Sequence, residues 1–217
     1  MRLFKQQRKI SFNWKYILGE LLLIFLGITL AIWFNNWNAA NKVRKEKEQA
    51  IVRIEQEIQG NLKQITAARV HNQPVQQALR DYFGKEEVAL QPAQMKELQR
   101  KYPDFATLID STATENGAYR YDIETKIDLE LPELTGIAWE TAQTIGVARA
   151  FDYDCLYELE KTYRLQRAYQ QEMDKVVGAL QDKQMSRLSI ILDFSTQFEA
   201  TLEGYYQRTL EMLESCN

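Results

Sequence analysis

Few residues of this chain have the type and spacing to do chemistry. His71 is its single histidine, so a histidine-assisted nucleophile and a histidine-rich metal site are both out of reach. Six acids crowd one polar stretch: Glu115, Asp122, Glu124, Asp128, Glu130 and Glu133. Carboxylates gathered this way can hold calcium or work in pairs on a glycosidic bond. The stretch lacks EF-hand spacing, and an acidic loop is ordinarily just solvated. Aromatic residues gather around one predicted helix junction, and Trp139, Tyr153, Tyr157 and Tyr163 form a candidate small-molecule pocket there, with Phe151 beside them. A helical core uses the same residue types, and core packing is the expected role. There is no P-loop, no Rossmann glycine pattern, no HExxH and no GxSxG. We therefore expect no catalytic residue, no metal ligand and no cofactor. The chain reads as a non-enzyme.

A different chemistry, that of lipid, is written more plainly. Residues Tyr16 to Phe34 are apolar apart from Glu20. As a helix this run spans roughly 28 Å, close to the hydrocarbon thickness of a bilayer. Trp14 and Tyr16 stand at one end, Trp33 and Trp37 at the other, where amphipathic rings favour headgroups. Asn35, Asn36 and Asn38 flank Trp37 and are expected to wet the interface, with contact to a partner or headgroup as the alternative. The exit of the run offers no small-x-small cleavage site, so a signal anchor is expected over a cleaved signal peptide. On a helical wheel Gly27 and Ala31 fall about 20° to either side of Glu20. A small-residue face of this kind suits close helix–helix approach, with Glu20 bonding a partner helix. The competing expectation is that Glu20, one turn inside, snorkels to the headgroups.

Orientation follows from the flanks. Arg2, Lys5, Arg8, Lys9 and Lys15 precede the run, and Lys42, Arg44, Lys45 and Lys47 follow it. Long C-terminal domains cross largely regardless of charge, so the expectation is a cytoplasmic basic tail (1–15), a span (16–37) and an extracytoplasmic domain (38–217). In a Gram-negative cell this is an inner-membrane protein facing the periplasm. With five basic residues in the tail and Glu20 in the span, the net charge of −3 leaves about −7 on the remainder. An acidic domain is a poor partner for nucleic acid, which selects basic surfaces. In an oxidising compartment Cys155 and Cys216 can pair. Nothing in their spacing places them within bonding distance, and two inert thiols are the expectation.

The elements that position these residues are helical. Val43, Ala50, Ile51, Ile54, Ile58, Leu62 and Ile65 recur at steps of three and four, and no Gly or Pro interrupts the exit from the apolar run. The span is therefore expected to continue as one long amphipathic helix. Gly60 does not end it, and Pro74 breaks or kinks it before a second piece closed by Gly84. Pro92 starts a short helix. Residues 112–134 read as an extended arm packed on helices, with a small hairpin as the alternative and Asn116-Gly117 as a turn, and within it Ile127, Leu129 and Leu131 alternate with Asp128 and Glu130. Helix resumes at Ile137, and two long helices finish the chain, the first capped by Asp152 or Asp154. The fold class is all-α: an antiparallel helical bundle with an extended arm.

The stretch GELLLIFLGITLAIWFNNWN, with the following IVRIEQEIQGNL, resembles the N-terminal signature of an uncharacterised family of bacterial single-pass membrane proteins. The segment AWETAQTIGVARAFDYDCLYELEKTY resembles a recurring module of the same family. The resemblance implies a membrane anchor and a helical domain, and brings no activity. The expected function is an oligomerising or partner-docking module of the cell envelope, its partners the lipid bilayer and a second copy or another envelope membrane protein. The alternative is a periplasmic ligand-sensing domain built on the aromatic pocket. It must pass any signal through another protein, since the basic tail has no room for an output domain.

Overall fold

A computed structural model describes residues 14–83, 89–114 and 116–216. Residues 1–13 of the basic tail, Gly84 and Glu115 lie outside the described residues. Among the described residues, five helices and one hairpin appear in chain order: α1 (Trp14–Phe83), α2 (Pro92–Lys101), β1 (Ala106–Ala113), β2 (Tyr119–Thr125), α3 (Ile137–Thr144), α4 (Tyr153–Gln181) and α5 (Met185–Leu213). A single 3-10 turn, Val147–Ala150, links α3 to α4. The protein is thus essentially all-helical. Two compact units divide it, Met1–Glu46 and Lys47–Asn217.

The described part of the first unit is helix. It contains a stretch long and apolar enough to cross a membrane, with a mean hydropathy of 2.3 and none of its residues buried within the protein. Thr29 returns its hydroxyl to the carbonyl of Phe25 at 2.8 Å, so its polar group is satisfied inside the helix.

In the second unit α1 continues as a core helix. Its buried residues Ile51, Ile54, Ile58, Asn61, Ile65, Ala68 and Asn72 step by three and four, a 3.5-residue period. Both long C-terminal helices repeat that period. Cys155, Leu159, Thr162, Gln166, Tyr169, Met173 and Val176 are buried on α4, and Leu188, Leu192, Ser195, Glu199, Leu202, Tyr206, Thr209 and Leu213 on α5. The turn between them reverses the chain through Lys183, at φ 55°. The amide of Gln184 there donates to the Ala179 carbonyl at 2.9 Å, which closes the end of α4. Side-chain bonds give the directions. Thr162 meets Thr209 and Tyr169 meets Glu199, so α4 and α5 are antiparallel. Tyr163 meets Glu57 and Gln166 meets Asn61, so α1 runs parallel to α4.

Pro74 neither breaks nor ends α1, in contrast to the expected separate piece. Proline removes the bond to the carbonyl of Val70. Both residues are exposed, so water reaches the freed carbonyl, while buried Asn72, Gln76 and Leu79 hold the helix against the core on either side.

The polar middle of the chain holds both a hairpin and an extended segment, with the hairpin starting before the expected bound of 112. A hairpin forms first, with Ala106 opposite Thr125 and Ala113 opposite Tyr119, and a bulge between Leu108 and Asp110. Gly117 takes the left-handed conformation its turn requires, at φ 71°. Residues 126–135 then run extended outside the sheet. Ile127, Leu129 and Leu131 pack on the core while Lys126, Asp128 and Glu130 face solvent, the period-two pattern legible in the sequence.

Candidate functional site

Side chains of α1 grip that extended segment by its backbone. Asn72 donates to the Glu130 carbonyl and accepts from the Glu130 amide, both at 2.8 Å. Asn61 does the same for Thr135, at 2.7 and 3.0 Å. Between them Gln64 accepts from the Glu133 amide at 2.8 Å. Asn61 and Asn72 are separated by three helical turns, about 16 Å at 1.5 Å per residue. Thr135 and Glu130 are five extended residues apart, about 16 Å at 3.3 Å per residue. The matched lengths let one helix face replace the strand that this segment lacks, with the two chains antiparallel. From α4, Gln170 adds a bond to the Leu134 carbonyl at 2.8 Å.

Beyond the segment lies a buried polar seam. The Glu57 carboxylate accepts from the Tyr163 hydroxyl at 2.7 Å, the Ala138 amide at 2.9 Å and the Thr135 hydroxyl at 3.1 Å. Gln166 accepts from Tyr206 at 2.7 Å and from Asn61 at 3.2 Å, and donates to the Thr135 carbonyl at 3.1 Å. Further along, Glu199 accepts from Tyr169 at 3.0 Å and lies 3.5 Å from Arg69, which also binds Glu203 at 2.5 Å. Burial raises the phenol pKa of Tyr163 and Tyr206, and Tyr163 further through the carboxylate of Glu57. Tyr169 is raised by burial and by Glu199. All three stay neutral and donate.

Glu199 is buried to 4 % exposure, and desolvation raises its pKa against the opposing pull of Tyr169 and Arg69. A carboxyl whose folded pKa lies above its unfolded value of 4.5 takes up its proton first in the folded state. Its contribution to stability is full below 4.5 and lost as pH rises through the folded value. Acidification from pH 7.5 towards 5 should therefore raise the melting temperature of the wild type relative to Glu199→Gln. Melting curves of both proteins across that range test this; a gap that stays flat, or moves the other way, refutes the burial account.

Of the aromatic group, Trp139, Phe151 and Tyr163 are buried in the core. Trp139 and Tyr163 stack at 6.1 Å and 11°, both buried, and line a cleft of about 330 Å³ with residues 134–137, Glu140, Gln166, Arg167 and Gln170. The indole Nε1 of Trp139 is buried without a hydrogen-bond partner. Tyr153 and Tyr157 do not reach this cleft. They stack on each other at 6.3 Å on the protein surface, 77 % and 55 % exposed. The reason is helical phase: Tyr163 falls on the buried face of α4, whereas Tyr153 and Tyr157 fall on the opposite one.

On the apolar part of α1, Glu20, Gly27 and Ala31 are all exposed, and a Cβ added at Gly27 would meet nothing. Trp14, Trp33, Trp37, Asn35, Asn36 and Asn38 are likewise exposed, with the rings of Phe34 and Trp37 5.9 Å apart. His71 lies 3.7 Å from Asp128 on the solvent side of α1.

The cysteines overturn the expectation of two inert thiols. Cys155 and Cys216 form a disulfide, with Cα atoms 6.0 Å apart across 61 residues of sequence. Antiparallel α4 and α5 bring the start of one beside the end of the other, a proximity no local spacing encodes. Asp152 caps α4 by accepting from the Cys155 amide at 2.9 Å, so of the two expected caps this is the one used. Its carboxylate and the two sulfurs lie within 4.8 Å of one another, but the bonded sulfurs carry no thiolate for a metal.

Asn61, Asn72, Gln166, Glu57 and Glu199 escaped sequence reasoning. For all but Glu57, which borders the seam, the signal was present as polar residues recurring on an apolar seam. No protein-family model, curated protein or solved structure matches this chain in comparison.

Proposed function

We propose that this protein is a non-enzymatic, single-pass membrane protein whose helical unit lies outside the cytoplasm and docks there on a second copy or another envelope protein. The observation that carries the location is the Cys155–Cys216 disulfide on the same chain as an apolar helix long enough to span a bilayer. Disulfides persist in oxidising compartments and are rare in the bacterial cytoplasm. The resemblance of residues 19–38 to a family of bacterial single-pass proteins is in keeping with an inner-membrane location and a cytoplasmic N-terminus. The ionisable groups of the seam argue for a scaffold: half-buried Glu57 and buried Tyr163, Tyr169, Glu199 and Tyr206 are each tied to a neighbouring helix or to the extended segment. The open face at Gly27 and Ala31 suits a second transmembrane helix.

Cysteine-free chains carrying Gly27→Cys or Ala31→Cys should form a disulfide dimer in native membranes under mild oxidant, whereas Thr29→Cys, on the opposite face of the helix at the same depth, should form far less. Equal crosslinking at all three positions would remove the self-association face. A photo-crosslinker on the helical unit that captures neither a second copy nor a recurrent membrane protein would remove the docking role.

A further inference from the structure

The cleft of about 330 Å³ between the extended segment, α3 and α4 lies wholly within the unit Lys47–Asn217. It stands apart from the membrane and docking readings above. Two opposite charges line it, Glu140 of α3 and Arg167 of α4. Both are exposed, and among the described residues neither side chain makes a hydrogen bond, an ion pair or a ring contact. Elsewhere on this unit opposite charges that stand close do pair, as Arg69 does with Glu203, Arg80 with Asp193 and Lys101 with Asp81. Glu140 and Arg167 share a cleft and leave each other free.

A second observation concerns the same wall. Trp139 lines the cleft, fully buried, and its Nε1–H meets no acceptor among the described residues. A buried donor left unpaired costs about 1–3 kcal/mol, so an acceptor brought in from outside the chain is favoured there. The neighbouring amides are already engaged: Gln166 donates to the Thr135 carbonyl and Gln170 to that of Leu134. Ile137, 70 % exposed, adds an aliphatic surface to the same lining.

Charge decides what fits. A guanidinium takes a carboxylate through two parallel bonds, and a carboxylate takes an ammonium. A simple anion would gain Arg167 and be repelled by Glu140, and a simple cation would meet the reverse. A molecule carrying both charges is complementary to both groups. The volume is at the small end of the pockets that hold organic ligands.

We propose that this cleft binds a small zwitterion, an apolar α-amino acid or a dipeptide of such residues, with its carboxylate on Arg167, its ammonium on Glu140 and its side chain against Ile137. Its carbonyl or carboxylate oxygens also bring acceptors to the wall that holds the unpaired indole. Binding joins α3 to α4 through the ligand, adding to the bond from Gln143 to Glu160, and so stiffens α3 on the bundle.

Calorimetric titration of the full chain in mild detergent, with its disulfide intact, tests this with L-leucine and L-leucyl-L-leucine as probes. Saturable binding is expected, and the tighter of the two tells amino acid from dipeptide. N-acetyl-leucine keeps only the carboxylate and leucinamide only the ammonium, and each should bind roughly tenfold more weakly than leucine or worse. Arg167→Ala and Glu140→Gln should weaken the zwitterion by a similar factor. Both positions are exposed, so these variants should melt with the wild type. Emission gives a second readout: in a chain carrying Trp14→Phe, Trp33→Phe and Trp37→Phe, Trp139 is the remaining tryptophan, and its emission should change over the same concentrations that saturate the heat. No saturable binding of either zwitterion at millimolar concentration overturns the proposal. So does binding that survives both substitutions, or that a singly charged analogue matches, or that leaves Trp139 emission unmoved.

Discussion

Alanine at both Cys155 and Cys216 is expected to lower the unfolding free energy of the chain by about 4 kcal/mol, the loop-closure value for a crosslink across some sixty residues. The bond joins the start of α4 to the chain just past α5, with a Cα separation of 6.0 Å and a sequence separation of 61. It restricts the unfolded chain, and it prevents the open ends of the helical pair from fraying. Both cysteines are buried, so alanine is the cleaner replacement; serine would add the cost of a buried hydroxyl. Denaturant unfolding in mild detergent provides the measurement. The oxidised wild type should unfold at clearly higher denaturant than the variant, and reduction should bring the wild type down to the variant's midpoint. Coincident midpoints for oxidised and reduced wild type would deny the bond its structural role, and would take with it the argument for an oxidising compartment.

Removing the two asparagine clamps together, Asn61→Ala with Asn72→Ala, should cost about as much. Asn72→Ala strips the Glu130 amide and carbonyl of their partners, and Asn61→Ala strips the Thr135 amide, leaving the Thr135 carbonyl with Gln166 alone. Groups left unpaired and partly buried cost about 1–3 kcal/mol each, reduced where water can enter, so roughly 4 kcal/mol is expected for the pair. The clamps lie three turns apart and share no partner, so their effects should add to within about 0.5 kcal/mol. Hydrogen exchange separates this account from general loosening. Amides of Glu130 and Thr135 should exchange far faster in the double variant, while those in the middle of α4 and α5 keep their protection until the global limit. Asn61→Asp is the sharper single change. It preserves shape but turns a donor towards the Thr135 carbonyl and Gln166 oxygen into a third acceptor in a fully buried place. If Glu130 and Thr135 remain protected in these variants, the segment is held by its apolar residues and not by the clamps.

Much of the architecture was legible from periodicity. The unbroken apolar run, its continuation into a helix stepping by three and four, the Pro92 start, the Asn116-Gly117 turn and the Asp152 cap all appear where the residues predict them. Each is a local signal, carried within one or two turns of chain. Of the break or kink expected at Pro74, the break does not occur, because buried residues on either side outweigh proline's local cost. In the aromatic group, Trp139, Phe151 and Tyr163 take the core role expected of them, whereas helical phase leaves Tyr153 and Tyr157 on the surface, away from Trp139.

What the sequence determined by itself is the alternation of apolar and polar residues, and so the helices, the extended segment and the lipid-compatible run. Those follow from hydrophobic burial at fixed backbone periods, which need no knowledge of neighbours. The tertiary structure alone decided which polar residues on the buried seams would find one another, that Asn61 and Asn72 would match Thr135 and Glu130, and that Cys155 would meet Cys216. Such pairings join residues tens of positions apart. They depend on the order and direction in which helices lie side by side, which is settled by packing the whole unit and not by any stretch of it.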